Sequence, residues 1–176
     1  MSVSRAGLLR AAKRPISELL AGDVVVASGG LIGCVLARRM PNGDIVRSVI
    51  VETEAYHQRE PGSHSYRGMT PRTEVMFGPP GHLYVYFTYG MWFCCNVVAE
   101  REGVGAAVLL RAAMPLSPHD GSVEGVKRPR LSGPGLLCQG LAIAKEDNGT
   151  YLLGDPDNSS ICLYRPDDYE PPPIEW

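Results

Sequence analysis

Glu52-Thr53-Glu54-Ala55-Tyr56 sets two carboxylates and a phenol at alternating positions, directly after the apolar run Val49-Ile50-Val51. Alternation along a strand puts Glu52, Glu54 and Tyr56 on one face. The loop that follows brings a histidine, His64. A carboxylate that ends a buried strand among aromatic rings can take a proton from water as a general base, and Glu54 is the candidate. The same carboxylate could serve only as a salt-bridge partner, and His64 only as a polar loop residue. Spacing alone leaves both pairs of readings open.

A second kind of chemistry lies in Gly78-Pro79-Pro80-Gly81-His82-Leu83-Tyr84-Val85-Tyr86-Phe87-Thr88-Tyr89-Gly90-Met91. A Gly-Pro-Pro-Gly turn launches a strand that ends on Tyr89-Gly90, and a second strand follows at once from Trp92. Glycine accepts positive φ in such tight connections, so Tyr89 sits at or near a hairpin tip. A ring there buries nothing in its own fold unless it folds back onto neighbouring loops. The other use is to enter something else, and gaps between stacked bases receive wedges of this kind.

Elements must hold these residues in place. Helical spacing runs through residues 5 to 21, with Pro15 opening a second short helix. Strands are expected at Val24–Ala27, Leu31–Ala37 and Ile45–Val51, joined by Gly29-Gly30 and by Pro41-Asn42-Gly43-Asp44. Such short turns imply antiparallel pairing. The polar segment from Tyr56 to Met76 reads as a long ordered loop, a class that is usually functional. Strands return at Leu83–Thr88, Trp92–Ala99 and Ala106–Ala112. A helix then starts with Ser132 as N-cap and Pro134 in its first turn, and closes at Asn148-Gly149. The end, Arg165 to Trp176, holds Pro171-Pro172-Pro173 and acids, and reads as extended and unpacked.

The 176 residues, with 44% hydrophobic and 20% charged, describe a folded domain rather than a disordered chain. A net charge of −2 does not by itself mark a nucleic-acid binder. Local clusters do carry positive charge: Arg38-Arg39, Arg67 with Arg72, and Lys127-Arg128-Pro129-Arg130. Acids gather near the end at Asp155, Asp157, Asp167, Asp168, Glu170 and Glu175. Affinity for a phosphate backbone counts contacts made, not the charge of the whole protein. Five cysteines at 34, 94, 95, 138 and 162, without CxxC spacing, read as reduced thiols and as neither a disulfide framework nor a zinc site. No apolar run near the N-terminus suits a signal peptide or a membrane span. The resulting expectation is a cytoplasmic protein.

The motifs, taken in order, resemble those of the alkyladenine (3-methyladenine) DNA glycosylases over roughly residues 17 to 145. They are Ile50–Tyr56, Ser63-His64-Ser65-Tyr66-Arg67-Gly68, Thr70-Pro71-Arg72-Thr73, Met76–Gly81, Tyr84-Val85-Tyr86, Tyr89-Gly90-Met91, Asn96-Val97-Val98 and Leu109-Leu110-Arg111-Ala112. Ser132-Gly133-Pro134-Gly135 and the apolar residues after it resemble a later helix of the same family. The fold that the resemblance implies is a single mixed α+β domain around a curved antiparallel sheet with a protruding β-hairpin. It would occupy residues 1–164, with 165–176 as an acidic Pro-rich tail and the family's C-terminal strands without a match.

The resemblance also implies an activity: excision of alkylated purines and hypoxanthine from duplex DNA, by flipping the nucleotide and hydrolysing its N-glycosidic bond. Glu54 would activate the water, and Arg111 would help to position it. Tyr56, His64 and Tyr86 would wall the base pocket, Asn96 would crowd the amine of guanine, and Tyr89 would fill the vacated space. Arg67 and Arg72 would hold the DNA backbone. No metal or organic cofactor is implied. The partner would be DNA containing damaged purines, bound by a monomer associated with the nucleoid. Two other functions stay open on the residues: a non-catalytic module that binds damaged DNA, and a hydrolase of small nucleosides that would have no use for Tyr89.

Overall fold

Asp23 starts a helix where the apolar residues after it predict a strand. Its carboxylate accepts hydrogen bonds from the backbone N–H groups of Val25 (2.9 Å) and Val26 (3.2 Å), an N-cap that satisfies donors a helix start leaves orphaned. Glu100 Oε1 accepts from the N–H of Val24 at 3.2 Å. The computed structural model describes residues 14–116, 131–155 and 158–166. In it α1 covers Ile16–Leu20, just after Pro15 as expected, and α2 covers Val24–Leu31. The helical pattern before Arg14 lies outside the described residues. The expected strand at Val24–Ala27 and the Gly29-Gly30 turn are therefore corrected, since both fall within α2. A valine triplet favours a strand, but here the capped run is buried between α1 and the sheet, and tertiary burial outweighs a weak propensity. Gly30 lets α1 approach: a Cβ there would lie 2.7 Å from both terminal carbons of Leu19.

Six strands follow among the described residues: β1 Val35–Arg39, β2 Ile45–His57, β3 Leu83–Thr88, β4 Trp92–Val98, β5 Ala106–Pro115 and β6 Ile161–Tyr164. They form one antiparallel sheet in the order β3-β4-β5-β2-β1-β6. The expected mixed α+β architecture around a curved antiparallel sheet is the one observed, a single domain. The first strand is shorter than expected because Leu31 still belongs to α2 and Gly33 turns at φ 84°. β2 runs six residues further than Ile45–Val51 and carries Glu52, Glu54 and Tyr56 on the strand itself.

One segment binds both edges of the curled sheet. On β3, the Leu83 N–H donates to the Thr150 carbonyl (2.8 Å) and the Gly149 N–H to the Leu83 carbonyl (2.7 Å). On β6, the Leu163 N–H donates to the Leu152 carbonyl (2.8 Å). Edge groups that would otherwise be a template for aggregation are covered in this way. The sequence pattern gives no sign of β6, whose four residues are too short to show alternation. Arg165, expected to open an unpacked end, instead donates to the carbonyls of Arg14 and Gly30. The tail beyond Pro166 and the Lys127–Arg130 cluster lie outside the described residues.

The late helix is also corrected. α3 covers Pro134–Gly140, its N-cap is Gly133 at φ 105° rather than Ser132, and Asn148-Gly149 follows a separate 3-10 turn at Lys145–Asp147. Ser132 is drawn into a bridge with Ala112 of β5 instead. All five cysteines are buried, and none is held in a disulfide. Arg38, from the first basic cluster, is committed to Asp147 at 2.8 Å and to the Ala142 carbonyl at 3.0 Å.

The sheet separates two apolar clusters. Leu36, Ile50, Leu83, Val85, Cys95, Val97, Val108 and Leu110 pack with residues of α1, α2 and α3. Tyr84, Val98 and Ala107 meet Met76 and Phe77, which come from the 3-10 turn Glu74–Phe77 at the end of the long loop. That loop is ordered by its own bonds. Ser63 Oγ and Ser65 Oγ lie 2.8 Å apart, Ser65 Oγ donates to the Gly105 carbonyl (2.8 Å), and Gln58 Oε1 accepts from the Gly105 N–H (2.8 Å). A Cβ on Gly105 would fall 2.6 Å from both Phe77 Cζ and Ser65 Cβ. Gly105→Ala is therefore expected to destabilise the protein by about 1–3 kcal/mol, the usual cost of overpacking. The urea midpoint measures this, and an unshifted midpoint would mean that the loop is not seated on β5.

Candidate active site

The face that carries Glu54 is decided by a double irregularity. β2 and β5 pair as Ile50↔Ala113, Glu52↔Ala112, Thr53↔Leu110 and Glu54↔Leu109. Val51 on β2 and Arg111 on β5 are thus passed over, and the register on either side of the slip is the same. Each bulge shifts the side-chain phase by one residue. Ile50 belongs to the cluster under the helices, so unbroken alternation would send Glu52, Glu54 and Tyr56 into that core. Thr53 goes there instead, with its Oγ1 3.0 Å from Ser28 Oγ of α2. Glu52, Glu54, Tyr56 and Arg111 emerge together on the opposite face.

There they form one network. Arg111 Nη1 donates to Glu54 Oε1 (2.7 Å) and Arg111 Nε to Glu52 Oε1 (2.8 Å). Tyr56 Oη donates to Glu54 Oε2 (2.9 Å). Each Glu54 oxygen therefore has one donor and keeps a lone pair for another. The hydrogen bond to Glu54 is the main cause that holds the Tyr56 hydroxyl above its ordinary range, with burial second. The bond to Glu52, then the charge of Glu54, pushes Arg111 further up. This network holds a carboxylate between two donors while leaving its side chain 38% exposed.

An aromatic cluster adjoins it. His64 Nδ1 lies 3.2 Å from Tyr84 Oη, and the His64 ring meets the Tyr86 ring edge-on with centroids 4.4 Å apart. Tyr84 and Tyr86 stack with centroids 5.5 Å apart. The Arg72 guanidinium stands 5.9 Å from the centre of the Tyr86 ring and donates to the Phe87 carbonyl at 3.3 Å. Burial, then the charge of Arg72, lowers the His64 pKa below 6.5. Burial is also the largest cause that raises the Tyr86 hydroxyl, and the Cys94 thiol and Tyr56 add to it. Tyr56 and Tyr86 are where the carboxylate network and the aromatic cluster meet.

Of the expected site residues, Asn96 is buried on β4 opposite Tyr84, with Nδ2 donating to the Tyr84 carbonyl (3.4 Å). Arg67 is exposed on the loop. Arg72 joins the aromatic cluster rather than standing apart as a surface cation. Three further residues complete the site: Tyr84 lies against His64, Cys94 pairs with Tyr86 across the strands, and Glu52 shares Arg111. Strand alternation puts Tyr84 on the face of Tyr86 and Glu52 on that of Glu54, but the bond of Glu52 to Arg111 depends on the slip.

Tyr89 is the most exposed large hydrophobic side chain among the described residues, at 89%. The Thr88–Met91 turn is closed by the Met91 N–H to the Thr88 carbonyl (3.2 Å), and both central residues have positive φ, Tyr89 at 51° and Gly90 at 68°. That sign pattern belongs to the type I′ turn, which suits strand twist. For a bulky residue it costs roughly 1–3 kcal/mol, a strain that clusters at functional sites. Met91, Phe87 and Met69 are exposed as well.

Comparison with known proteins gives a consistent picture. The family model for methylpurine-DNA glycosylase (MPG) matches residues 18–175. A protein of Carboxydothermus hydrogenoformans is 50% identical over 141 residues, which are 78% of this chain and 73% of that protein. One from Synechococcus sp. is 47% identical over 138 residues, 77% of this chain and 71% of that protein. One from Chlorobaculum parvum is 43% identical over 148 residues, 81% of this chain and 71% of that protein. All three bear the name "Putative 3-methyladenine DNA glycosylase". Among the described residues no helix is long and apolar enough to cross a membrane.

The lowered His64 gives a pH prediction. As pH falls through the ordinary value of 6.5, the unfolded chain takes up this proton more readily than the folded one, so the group withdraws stability on the acid side. NMR titration should place the His64 midpoint below 6.5, and Arg72→Gln should raise it. A midpoint above the ordinary value in the unaltered protein would contradict the arrangement.

Proposed function

Because this chain belongs to the methylpurine-DNA glycosylase family, DNA repair hydrolases of N-glycosyl bonds, we propose that it excises 3-methyladenine, other alkylated purines and hypoxanthine with a water activated by Glu54. The observation that carries this reading is the state of the Glu54 carboxylate. Arg111 and Tyr56 fix it on the face of the sheet that also carries the His64–Tyr84–Tyr86 ring cluster.

The damaged nucleotide leaves the stack and its base enters between Tyr56, His64 and Tyr86. Stacking on such rings is worth ~1–3 kcal/mol per base. An alkylated purine that carries positive charge gains a further cation–π attraction of about 1 kcal/mol. The neutral state of His64 favours such a cation, because an imidazolium would repel it. Glu54 takes a proton from the bound water as its oxygen attacks the anomeric carbon. Arg111 holds the carboxylate in line through Oε1. The electron pair of the breaking C–N bond returns to the purine, which neutralises an alkylated ring directly. Hypoxanthine, which is neutral in DNA, leaves with that pair as an anion and takes its proton from solvent. Asn96, fixed beneath Tyr84, crowds the exocyclic amine of guanine.

On this reading Tyr89 enters the duplex from its strained turn and fills the gap. Arg67 holds phosphate, while Arg72 links phosphate contact to Tyr86. The partner is duplex DNA with damaged purines, and the protein acts as a monomer without a cofactor.

Two substitutions test the scheme. Glu54→Gln should lower the single-turnover excision rate at least 100-fold, within the usual ~10²–10⁴ range for a general base, with binding to damaged DNA nearly unchanged. Retention of more than a few per cent of the rate would reject Glu54 as the base. Tyr89→Ser should weaken binding to damaged duplex and slow flipping, while affinity for undamaged duplex, dominated by phosphates, changes little. Equal losses on both duplexes would reduce the ring to a contributor to fold stability.

A further inference from the structure

We propose that Glu52 is a positioning residue for the Glu54 carboxylate: it holds Arg111 by Nε, so that a single guanidinium nitrogen reaches Glu54. The inference rests on the reading of Glu54 as the general base and extends it to a second acid. The geometry is specific. Arg111 is the residue passed over on β5, Glu52 follows the residue passed over on β2, and the two side chains meet at 2.8 Å across the slip.

A guanidinium offers its N–H groups in a rigid fork that suits a two-point grip on one carboxylate. Were Arg111 free to turn, it could grip both oxygens of Glu54, displacing the Tyr56 hydroxyl and the water and weakening the carboxylate as a proton acceptor. With Nε tied to Glu52, Nη1 alone reaches Oε1, at 2.7 Å. Glu52 also supplies a second negative charge, so one cation serves two anions.

Stability does not explain the contact. The Arg111 and Glu52 side chains are 34% and 53% exposed, and exposed ion pairs contribute little to folding. Other groups that face this network are known. Tyr56 bonds to Glu54, Glu60 lies near the Tyr56 hydroxyl, Cys94 of β4 faces Arg111, and Tyr86 of β3 neighbours Tyr56. None of these is bonded to Arg111; Glu52 is the anion bonded to it directly beside Glu54.

The test is the pH dependence of single-turnover excision, with enzyme in saturating excess so that binding does not enter. Glu52→Ala should lower the plateau rate about tenfold or more. Glu52→Gln keeps an acceptor for Nε but removes the charge, and should give a smaller loss with the acid limb moved to lower pH. Glu52→Asp should restore much of the rate. Thermal midpoints and affinity for damaged DNA should stay close to those of the unaltered protein. Glu54→Gln is measured alongside. If Glu54→Gln is inactive and Glu52→Ala and Glu52→Gln keep the full rate and profile, the role of Glu52 is overturned while the base stands. If Glu54→Gln stays active, both are overturned. A rate loss in Glu52→Ala matched by an equal fall in folded fraction, with an unmoved profile in Glu52→Gln, also overturns the proposal.

Discussion

Two opposed bulges, at Val51 on β2 and Arg111 on β5, are the constraint on which the rest of this site depends. Without them Glu54 and Tyr56 would follow Ile50 into the apolar cluster beneath the helices, where an unpaired carboxylate would be costly to bury. With them, one strand serves the core through Ile50 and, after the slip, presents its acids to the opposite face. Because the bulges compensate, the pairing from Thr53↔Leu110 onward keeps its register and the strand stays paired under the site. The same slip frees Arg111 from the alternation of β5 and turns it toward both acids.

The surrounding parts are tied to this point by close contacts. The N–H of Gly133, at the start of α3, donates to the Arg111 carbonyl at 2.9 Å. A Cβ on the nearby Gly135 would lie 2.9 Å from the Trp92 indole, which follows the hairpin turn and pairs with Thr88. One helix start thus touches the strand of the proposed catalytic pair and the root of the turn that carries Tyr89. On the other side, the long loop reaches β5 through Gln58 and Ser65 at Gly105, and so delivers His64 over Tyr84 and Tyr86. Tyr89, the aromatic cluster and the Glu54 carboxylate, from three separate stretches of chain, are thus gathered on one sheet.

How much of this the sequence reveals depends on range. The hairpin at Tyr89-Gly90, the turn at Asn42-Gly43 and most of the strands are readable, because local turn chemistry and alternation set them. The fate of Val24–Leu31 is not, since valines favour a strand and only Asp23, Glu100 and packing under Leu19 make the run a helix. β6 escapes because its short run pairs with β1 from more than a hundred residues away. Within the site, the grouping of Glu54, Tyr56, His64 and Tyr86 follows from motif order and resemblance. The bonds of Arg111 to two acids, and the place of Arg72 over Tyr86, are products of the slip and of the loop, and no pattern in the chain announces them.

A structure of the protein bound to duplex DNA that carries a cationic pyrrolidine in place of the damaged nucleotide tests the central claim most directly. Such a ring mimics the charge that develops at the anomeric carbon. The account predicts one ordered water bound to a Glu54 oxygen and facing that ring, with Arg111 still on the other oxygen and the Tyr89 ring inside the base stack. A ring turned away from Glu54, or a water held by other residues while Glu54 stays tied only to Arg111 and Tyr56, would contradict it.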